Sequence, residues 1–459
     1  MLSTIRELSR RLCAREISPV ELTHECLARI EKLNPSLNAF ITVTAEYALD
    51  RARVAEREIF RGKHRGPLHG IPIGLKDIID TAGVRTTAAS ALFRDRIPAE
   101  DAEVTRRLQC GGAIILGKQN LHEFAYGGSS MISFFGEVHN PWDAKRITGG
   151  SSGGSAASVA AGLGFAAVGT DTAGSIREPA AFCGLVGLKP TYGRVSAKGV
   201  IPLATSYDHV GPITASVYDA ALMLQVLSGQ GADDPCANPA ARSFVAAFDE
   251  PPQSLRIGIP RDYFFDDLHP EVAAAVEKAI GVFLELSATI REVKLEVSTD
   301  RTLASAEAYS YHEGFVSRTP ELYQPATLAR IQTGAKVTAS EVLRATHELR
   351  AMREGIQQIF NQVDVLLTPT VPIPPPEIAD LNANPDNLRP QELIMLRNTR
   401  PFNVWGIPAI SIPCGFTKDG LPIGLQLAAA PWREDTLLQA AYAYEQATEW
   451  HEHVPKLNN

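Results

Sequence analysis

The first 65 residues carry apolar positions at helical spacing. Residues 18–21 read Ser-Pro-Val-Glu, a capping box with proline at the first helical position, and apolar residues then recur on one face from 22 to 33. The charged stretch 46–61 predicts a second helix with a solvated face. Neither segment offers residues suited to chemistry, so we expect an outer helical layer here.

The spacing changes to a period of two in the segment that follows. Apolar Ile71, Ile73 and Leu75 alternate with proline and glycine, which predicts a buried strand that ends on Lys76. Such a strand would carry the lysine amine into the interior, where desolvation lowers its pKa and makes it a base. The alternative is a surface lysine at the end of a strand.

Strand and helix signals alternate through the rest of the chain, which predicts an α/β class of fold. We find no internal repeat and no linker that would mark a domain boundary. The predicted elements are a helix over 102–112, a strand over 113–117, a closely packed helix over 155–163, a surface loop over 228–239, a strand over 255–260, a helix over 272–283, polar helices over 326–363, a strand over 364–370, a proline-rich loop over 371–384, strands over 398–402, 406–413 and 424–427, and a helix over 437–450.

Composition and charge argue against several classes of function. Of the 459 residues, 45% are hydrophobic, which suffices for a large core, and the net charge of −8 argues against a nucleic-acid partner. No uninterrupted apolar run reaches about 18 residues, so we expect no membrane span. The N-terminus lacks an apolar signal segment, and the six cysteines show neither paired nor metal-ligand spacing. We therefore expect a soluble cytoplasmic protein with reduced thiols and no metal.

Residues 149–189 form a glycine- and serine-rich run that continues into apolar sequence. Ser151 and Ser152 lie between two pairs of glycines, and Ser175 follows an Ala-Gly pair. Because glycines let a backbone approach other groups closely, the run predicts a site built from serine hydroxyls and backbone N–H groups. A flexible linker fits poorly because apolar, element-like sequence follows. A nucleotide-binding loop fits poorly because neither GxxxxGK[ST] nor GxGxxG is present.

These hydroxyls suit nucleophilic attack on a carbonyl carbon. A serine is a weak nucleophile at its free pKa and needs a base, yet no histidine lies within the run. A buried lysine can replace histidine, with a second serine relaying the proton. Ser206, Asp208 and His209 offer another set, but neighbours in sequence rarely converge on one point. His122 has no partner at metal-ligand spacing, so we interpret it as structural.

Four segments resemble the amidase signature family of serine hydrolases, and the resemblance spans nearly the whole chain. They are GIPIGLKD around Lys76, GGSSGGSAASVAAG at 149–162, the stretch at 169–196 that begins GTDTAGSIREP, and SYDHVGP at 206–212. Together these motifs are very specific.

The resemblance implies a single amidase signature domain over 1–459. Its fold would be one large α/β/α layered domain with a mixed central β-sheet covered by helices, and its chemistry would need no metal or organic cofactor. Residues 1–65 would form an N-terminal helical layer, 66–215 the catalytic core, and 216–459 would complete the sheet and the substrate pocket.

The resemblance also implies roles for individual residues. In that family a lysine and two serines form a Ser–cis-Ser–Lys triad, whose members by motif position are Lys76 as base, Ser151 as relay after a cis peptide, and Ser175 as nucleophile. The implied oxyanion hole consists of the backbone N–H groups of Thr172, Ala173, Gly174 and Ser175. Asp171 and Arg177 match charged positions that we interpret as structural supports, and Ser152 and Ser155 are expected to form hydrogen bonds around the relay.

Two features depart from the family pattern. Ala173 stands where many members have glycine, so the pocket near the oxyanion would be tighter. The N-terminal two-thirds resembles the catalytic subunit of the tRNA-dependent amidotransferase, but residues 397–413 lack the acid-containing segment of that protein. We therefore expect an apolar, aromatic substrate pocket with contributions from Phe402 and Trp405. Tyr126, Gly127, Gly128 and Ser129 lie in a segment that leads toward the glycine-rich run, and we expect them to line the pocket as well.

Three functions follow from the resemblance. The leading hypothesis is a stand-alone hydrolase, monomeric or homodimeric, that cleaves C–N bonds of aryl or small aliphatic amides and also carbamates (urethanes) and esters. The first alternative is the glutamine-hydrolysing catalytic subunit of a tRNA-dependent amidotransferase. The second is a non-catalytic binding protein on this scaffold, against which the complete lysine and serine set argues.

Overall fold

An eleven-stranded mixed β-sheet crosses the computed structural model, which describes residues 2–228, 244–248 and 254–457. The strands of these residues are β1 (Phe40–Val43), β2 (Pro72–Lys76), β3 (Ile114–Gln119), β4 (His139–Asn140), β5 (Asp143–Ile147), β6 (Ala166–Asp171), β7 (Val186–Lys189), β8 (His209–Thr214), β9 (Arg256–Ile259), β10 (Thr289–Glu292), β11 (Val365–Pro369), β12 (Ala409–Phe416) and β13 (Pro422–Ala429). The order in the sheet is β1-β3-β2-β6-β8-β7-β12-β13-β11-β9-β10, and β4 pairs separately with β5.

Both kinds of strand pairing occur in this sheet. Strand β2 runs parallel to β3 and β6, and β9 runs parallel to β10 and β11, whereas the pairs between them are antiparallel. Strands β2, β3, β6 and β8 are buried along their whole length. Such burial is typical of strands covered by helices on both faces. The predicted α/β fold with a mixed, helix-covered sheet is confirmed.

The helices cover the sheet and fill its flanks. No α-helix of the described residues combines the length and apolarity needed to cross a lipid bilayer. The α-helices are α1 (Ile5–Cys13), α2 (Pro19–Leu37), α3 (Ala45–Phe60), α4 (Glu103–Cys110), α5 (Gly153–Ala160), α6 (Arg177–Cys183), α7 (Val217–Leu227), α8 (Arg261–Phe264), α9 (Pro270–Glu285), α10 (Thr302–Val316), α11 (Pro325–Gln332), α12 (Ala339–Gly355), α13 (Ile378–Ala383), α14 (Leu388–Met395), α15 (Pro401–Val404) and α16 (Glu434–Gln446).

Local signals placed the N-terminal helices correctly. The predicted capping box opens α2, since the Ser18 side chain caps the helix and the Ser18 N–H donates to Glu21 Oε2 at 3.1 Å. Helix α3 coincides with the charged stretch predicted as a second helix. The strands and helices predicted between 102 and 117, and those around 256–285 and 365–369, are also present within a few residues of their expected ends.

Of three further predictions, two are wrong in whole or in part, and the third falls mostly outside the described residues. The strand predicted over 398–402 is wrong, because Pro401 begins α15 instead. The proline-rich segment 371–384 is not loop throughout, since it contains α13. The surface loop predicted over 228–239 lies, from residue 229 onward, outside the described residues.

The sheet brings the two halves of the candidate site to one edge. Strands β2 and β6 are neighbours and parallel, so their carboxyl ends, Lys76 and Asp171, lie on the same side of the sheet. Helix α5 packs against this edge at close range, because a Cβ at Gly154 would lie 2.5 Å from the carbonyl oxygens of Ala39 and Asn120. The small residues of α5 thus allow the serine segment before it to reach the lysine.

Candidate active site

Lys76 lies in a buried contact with two hydroxyl groups. Its Nζ donates to Ser151 Oγ at 2.7 Å and to Thr170 Oγ1 at 2.8 Å. Burial lowers the pKa of Lys76 to about 7, although Asp171 and Asp208 favour the charged amine. A large fraction of the amine is therefore neutral near pH 7 and able to accept a proton from Ser151. The alternative of a surface lysine is wrong, since Lys76 is fully buried.

Neighbouring chain segments hold the backbone at Ser151 in place. The peptide bond between Gly150 and Ser151 is cis, as the family resemblance implies. The Ser151 carbonyl accepts hydrogen bonds from the His122 N–H at 3.1 Å and from Ser130 Oγ at 3.3 Å. A Cβ at Gly153 would lie 2.4 Å from Ser130 Oγ, so only glycine fits where α5 begins. The glycine-rich segment is thus a packed part of the site.

Ser175 precedes α6 and lines a cavity of about 250 Å³. Lys76 and Ser151 do not line this cavity and are completely buried. The N–H of Ser152 donates to the Ser175 carbonyl at 3.3 Å, which joins the two serine-bearing segments. A hydroxyl at the cavity wall with a buried lysine and serine behind it is an arrangement suited to nucleophilic catalysis.

The segment before Ser175 offers backbone donors to the same cavity, with one change from the expected set. Within the described residues, no hydrogen bond engages the N–H groups of Thr172, Ala173 and Ser175. The Gly174 N–H instead donates to Asp171 Oδ1 at 2.7 Å, so its predicted place in the oxyanion hole is wrong. Three donors therefore remain for a developing oxyanion.

Asp171 and Arg177 form a buried ion pair that supports this loop. Arg177 donates to both carboxylate oxygens of Asp171, at 2.9 and 3.0 Å. Although burial opposes ionisation, the Arg177 guanidinium holds the pKa of Asp171 well below its usual range. The remaining Arg177 donors reach the Thr399 carbonyl, Gln426 Oε1 and Asn403 Oδ1 at 2.6–2.8 Å. These three partners come from distant segments, and no local motif pointed to them.

The two serines predicted to support the relay have different surroundings. Ser152 Oγ donates to the Thr170 carbonyl at 3.2 Å and accepts from the Thr170 N–H at 3.3 Å, which fastens the start of α5 to β6. The buried Ser155 hydroxyl has no hydrogen-bond partner among the described residues, so its predicted hydrogen bond around the relay is wrong. Thr170 itself, which contacts Lys76, was missed because a threonine inside a strand carries no distinguishing signal.

The predicted aromatic pocket is largely wrong. Tyr126 and Gly127 line the cavity, but Gly128 and Ser129 do not, and Ser129 Oγ instead donates to Glu392 Oε1 behind the cavity at 2.8 Å. Phe402 and Trp405 are buried in an apolar cluster with Phe264, because α15 turns their side chains into the core. Both aromatic rings therefore stabilise the fold and do not line the cavity.

The cavity is lined by arginines and not by Phe402 and Trp405. The cavity wall near Ser175 includes a leucine and a tyrosine, Leu203 and Tyr207. No Asp or Glu is among the described residues that line it. Four arginines line the same cavity: Arg301, Arg330, Arg389 and Arg400. They come from four separate segments, which is why no sequence motif revealed them.

The other candidate groups do not assemble into sites. Ser206 Oγ donates to Glu307, Asp208 accepts from Thr172 Oγ1 at 2.6 Å, and His209 Nδ1 contacts the Tyr207 carbonyl at 2.6 Å. These three residues therefore do not form a triad. Over the ranges that the structure describes, no group of three or more His, Cys, Asp or Glu side chains is placed to hold a metal ion.

Comparisons with known proteins cover the whole chain. The family model described as Amidase matches residues 21–438. The chain is 40% identical to a glutamyl-tRNA(Gln) amidotransferase subunit of Moorella thermoacetica, with 99% of this chain and 98% of that protein covered. The structure of 6-aminohexanoate cyclic dimer hydrolase has a TM-score of 0.91 at 32% identity, covering 100% of this chain and 99% of that one. The peptide amidase of Stenotrophomonas maltophilia has a TM-score of 0.86 at 30% identity, with the same coverage.

Proposed function

The chain belongs to the amidase signature family of C–N hydrolases, and we propose that it cleaves small amides through an acyl-enzyme on Ser175. The observation that carries the proposal is the 2.7 Å contact between Lys76 Nζ and Ser151 Oγ, buried behind the cavity that Ser175 lines. A base with a pKa near neutrality is thereby combined with two hydroxyls and free backbone donors.

The proposed reaction proceeds in two halves. Neutral Lys76 accepts the proton of Ser151, Ser151 accepts that of Ser175, and Ser175 Oγ attacks the carbonyl carbon. The N–H groups of Thr172, Ala173 and Ser175 stabilise the oxyanion, and a single donor of this kind is worth about 3 kcal/mol in the transition state. The C–N bond then breaks as Ser151 returns a proton to the amine, and water hydrolyses the resulting ester.

The same acylation step extends to related substrates. A carbamate would leave an alkoxycarbonyl or carbamoyl group on Ser175, and an ester would leave the same acyl group as an amide. We therefore include aryl and small aliphatic amides, carbamates (urethanes) and esters in the proposed range. The protein would act alone, as a monomer or homodimer.

The test is to compare wild type with Ser175→Ala and Ser206→Ala. We expect a fluorophosphonate to label wild type and Ser206→Ala but not Ser175→Ala. We also expect wild type and Ser206→Ala to turn over members of a panel of anilides, primary amides, esters and aryl carbamates, whereas Ser175→Ala should turn over none of them. Turnover that persists in Ser175→Ala would refute the nucleophile, and a protein that is neither labelled nor active would favour the non-catalytic alternative.

A second candidate function is that of the glutamine-hydrolysing component of a tRNA-dependent amidotransferase. The 40% identity to one such protein over 99% of this chain favours it, and it would require partner proteins and an ammonia acceptor. The cavity favours the stand-alone hydrolase, because no carboxylate among the described lining residues is present to meet the α-ammonium group of glutamine. Size-exclusion chromatography combined with a glutaminase assay distinguishes the two candidates. Glutamine hydrolysis that appears only with added partner proteins would favour the second.

A further inference from the structure

Arg301 is an unpaired charge in the wall of the candidate active site. It lies immediately before α10, is only partly exposed, and lines the cavity that Ser175 also lines. No hydrogen bond or ion pair joins its guanidinium to another of the described residues. Its N–H donors have no acceptor among the described residues, so they are available to a ligand that enters the cavity.

The residues around Arg301 add positive charge instead of neutralising it. Burial together with Arg400 and Arg389 lowers the pKa of Arg301 to about 9, against a smaller opposing effect of Tyr126 and Tyr263. Arg400 also lines the cavity and uses its donors on the backbone carbonyls of Ser298 and Asp300. The charges of these arginines therefore reinforce one another at the cavity.

The carboxylate that pairs with two of these arginines has no oxygen left for a ligand in the cavity. Glu392 binds Arg330 at 2.9 Å, Arg389 at 3.3 Å and Ser129 at 2.8 Å, and it does not line the cavity. Arg330 additionally donates to the Tyr126 carbonyl at 2.6 Å. Glu392 thus orients Arg330 and Arg389, and because no acid is among the described residues that line the cavity, the four guanidinium groups give its wall a positive charge.

We propose that this arginine group, with Arg301 as its free member, binds a carboxylate on the substrate, so that the preferred substrates are short amides with a free carboxylate at their other end. The proposal rests on the proposed function, because it assigns a substrate class to the Ser175 site. A carboxylate matches the planar, paired donors of a guanidinium in a bidentate contact. The cavity of about 250 Å³ admits only a small molecule, so the nucleophile and the arginines would contact the same ligand.

The positive charge of the cavity wall should also disfavour glutamine relative to these carboxylate-bearing amides. Glutamine has a carboxylate, but its α-ammonium group would enter a cavity lined by four arginines and, among the described residues, by no acid. Glutaramate is glutamine without that ammonium group, and glutaramide replaces its carboxylate by a second neutral amide. These three compounds therefore test the carboxylate and the ammonium separately.

The decisive measurement is kcat/KM for glutaramate, glutaramide and glutamine, with succinamate and succinamide as a shorter pair. We expect wild type to prefer each carboxylate-bearing amide to its diamide by at least about tenfold, and glutaramate to glutamine by a similar factor, since charge-assisted hydrogen bonds are the strong ones. Arg301→Met should lower kcat/KM for the carboxylate substrates about 10- to 100-fold, mainly through KM, and lower it far less for the diamides. Arg301→Lys should recover part of the loss, and Arg350→Gln, on the exposed surface of α12, should behave as wild type.

Binding measured without turnover separates failure of this inference from failure of the proposed function. Calorimetry on Ser175→Ala should show that glutaramate binds with a lower dissociation constant than glutaramide. The double variant that also carries Arg301→Met should bind the two compounds with equal affinity. Equal affinity for the two compounds would overturn the inference even if Ser175 hydrolyses other amides. Selective binding of glutaramate without hydrolysis or fluorophosphonate labelling of wild type would support the carboxylate site and refute the proposed chemistry. If Arg301→Met does not fold, the substrate comparison on wild type and Ser175→Ala still decides.

Discussion

The backbone N–H of Gly174 donates to Oδ1 of Asp171 at 2.7 Å, one residue before the candidate nucleophile. Gly174 has a φ of 137°, and a Cβ there would lie 2.1 Å from Thr399 Oγ1. The carboxylate therefore fixes a turn that only glycine can adopt, and this turn aims Ser175 at the cavity.

Gly174→Ala should consequently impair the site more than the fold. The added methyl must displace Thr399 or the loop, and a misplacement of about 1 Å near the chemistry costs about 100-fold in rate. Measurement of kcat/KM together with urea unfolding tests this. Gly281→Ala in α9 is the control, because its Cβ would meet nothing within 4 Å, and it should raise the free energy of unfolding by about 0.5–1 kcal/mol. Unchanged kcat/KM in Gly174→Ala would contradict the turn's role.

The activity should depend on pH through Lys76. Only the neutral amine can accept a proton, and the pKa of Lys76 is lowered to about 7, so kcat/KM should fall as the pH drops below this value and reach a plateau above it. The pH profile of kcat/KM for an uncharged amide, measured between about pH 5.5 and 9, tests the expectation. Thr170→Val, which removes the second hydroxyl on Nζ, should change the midpoint of this profile. A profile that is flat through pH 7 would exclude Lys76 as the base.

The buried ion pair should contribute strongly to stability. Asp171→Asn leaves the Arg177 charge without its partner in the interior, which should lower the free energy of unfolding by about 3–5 kcal/mol in urea titrations. Asp50→Asn, which breaks an exposed pair with Arg53, should have a far smaller effect. A loss no larger than that of Asp50→Asn would contradict the inferred support.

The sign of the pH effect on stability follows from the same pair. The pKa of Asp171 is held below its value in the unfolded chain, so the stabilisation is present above the ordinary carboxyl range and is lost as the pH falls through it. The unfolding free energy of wild type should therefore decline on acidification by more than that of Asp171→Asn. A parallel decline of both proteins would count against the pair.

The two serines of the α5 segment should respond differently to removal of the hydroxyl. Ser152→Ala breaks both hydrogen bonds to the Thr170 backbone, which should cost about 1–3 kcal/mol of unfolding free energy. Ser155→Ala removes a buried hydroxyl that has no partner among the described residues, so it should be neutral or slightly stabilising. Chemical denaturation of the two variants side by side tests the contrast. Equal destabilisation would show that Ser155 has a role that the hydrogen bonds do not explain.

The predictable part of the site was the part encoded by neighbouring residues. The alternation that ends on Lys76 marks a buried strand by itself, and the glycine pairs around Ser151 mark a close backbone approach by themselves. The α/β class followed from the strand and helix patterns, and the mixed sheet followed from the family resemblance. These features depend on contacts within short segments, so the residue pattern of each segment is enough to predict them.

The cavity wall could not be predicted in the same way. Arg301, Arg330 and Arg400 belong to segments that look like ordinary solvated helix surface, and only the packing of α10, α11 and the α14–α15 region brings them together. Phe402 and Trp405 looked like pocket residues, but whether an aromatic side chain lines a cavity or fills the core depends on the direction in which a short helix turns. That direction is set by tertiary contacts and not by local sequence.

The complete burial of Lys76 has a consequence for the lifetime of the catalyst. A neutral primary amine next to an activated acyl ester can capture the acyl group as a stable amide, and such a transfer from Ser175 would inactivate the protein permanently. Lys76 Nζ is absent from the cavity wall and occupied by two hydroxyls, so the amine can exchange protons through Ser151 without meeting the carbonyl carbon. In the proposed mechanism, Ser151 would thus prevent transfer of the acyl group from Ser175 to Lys76.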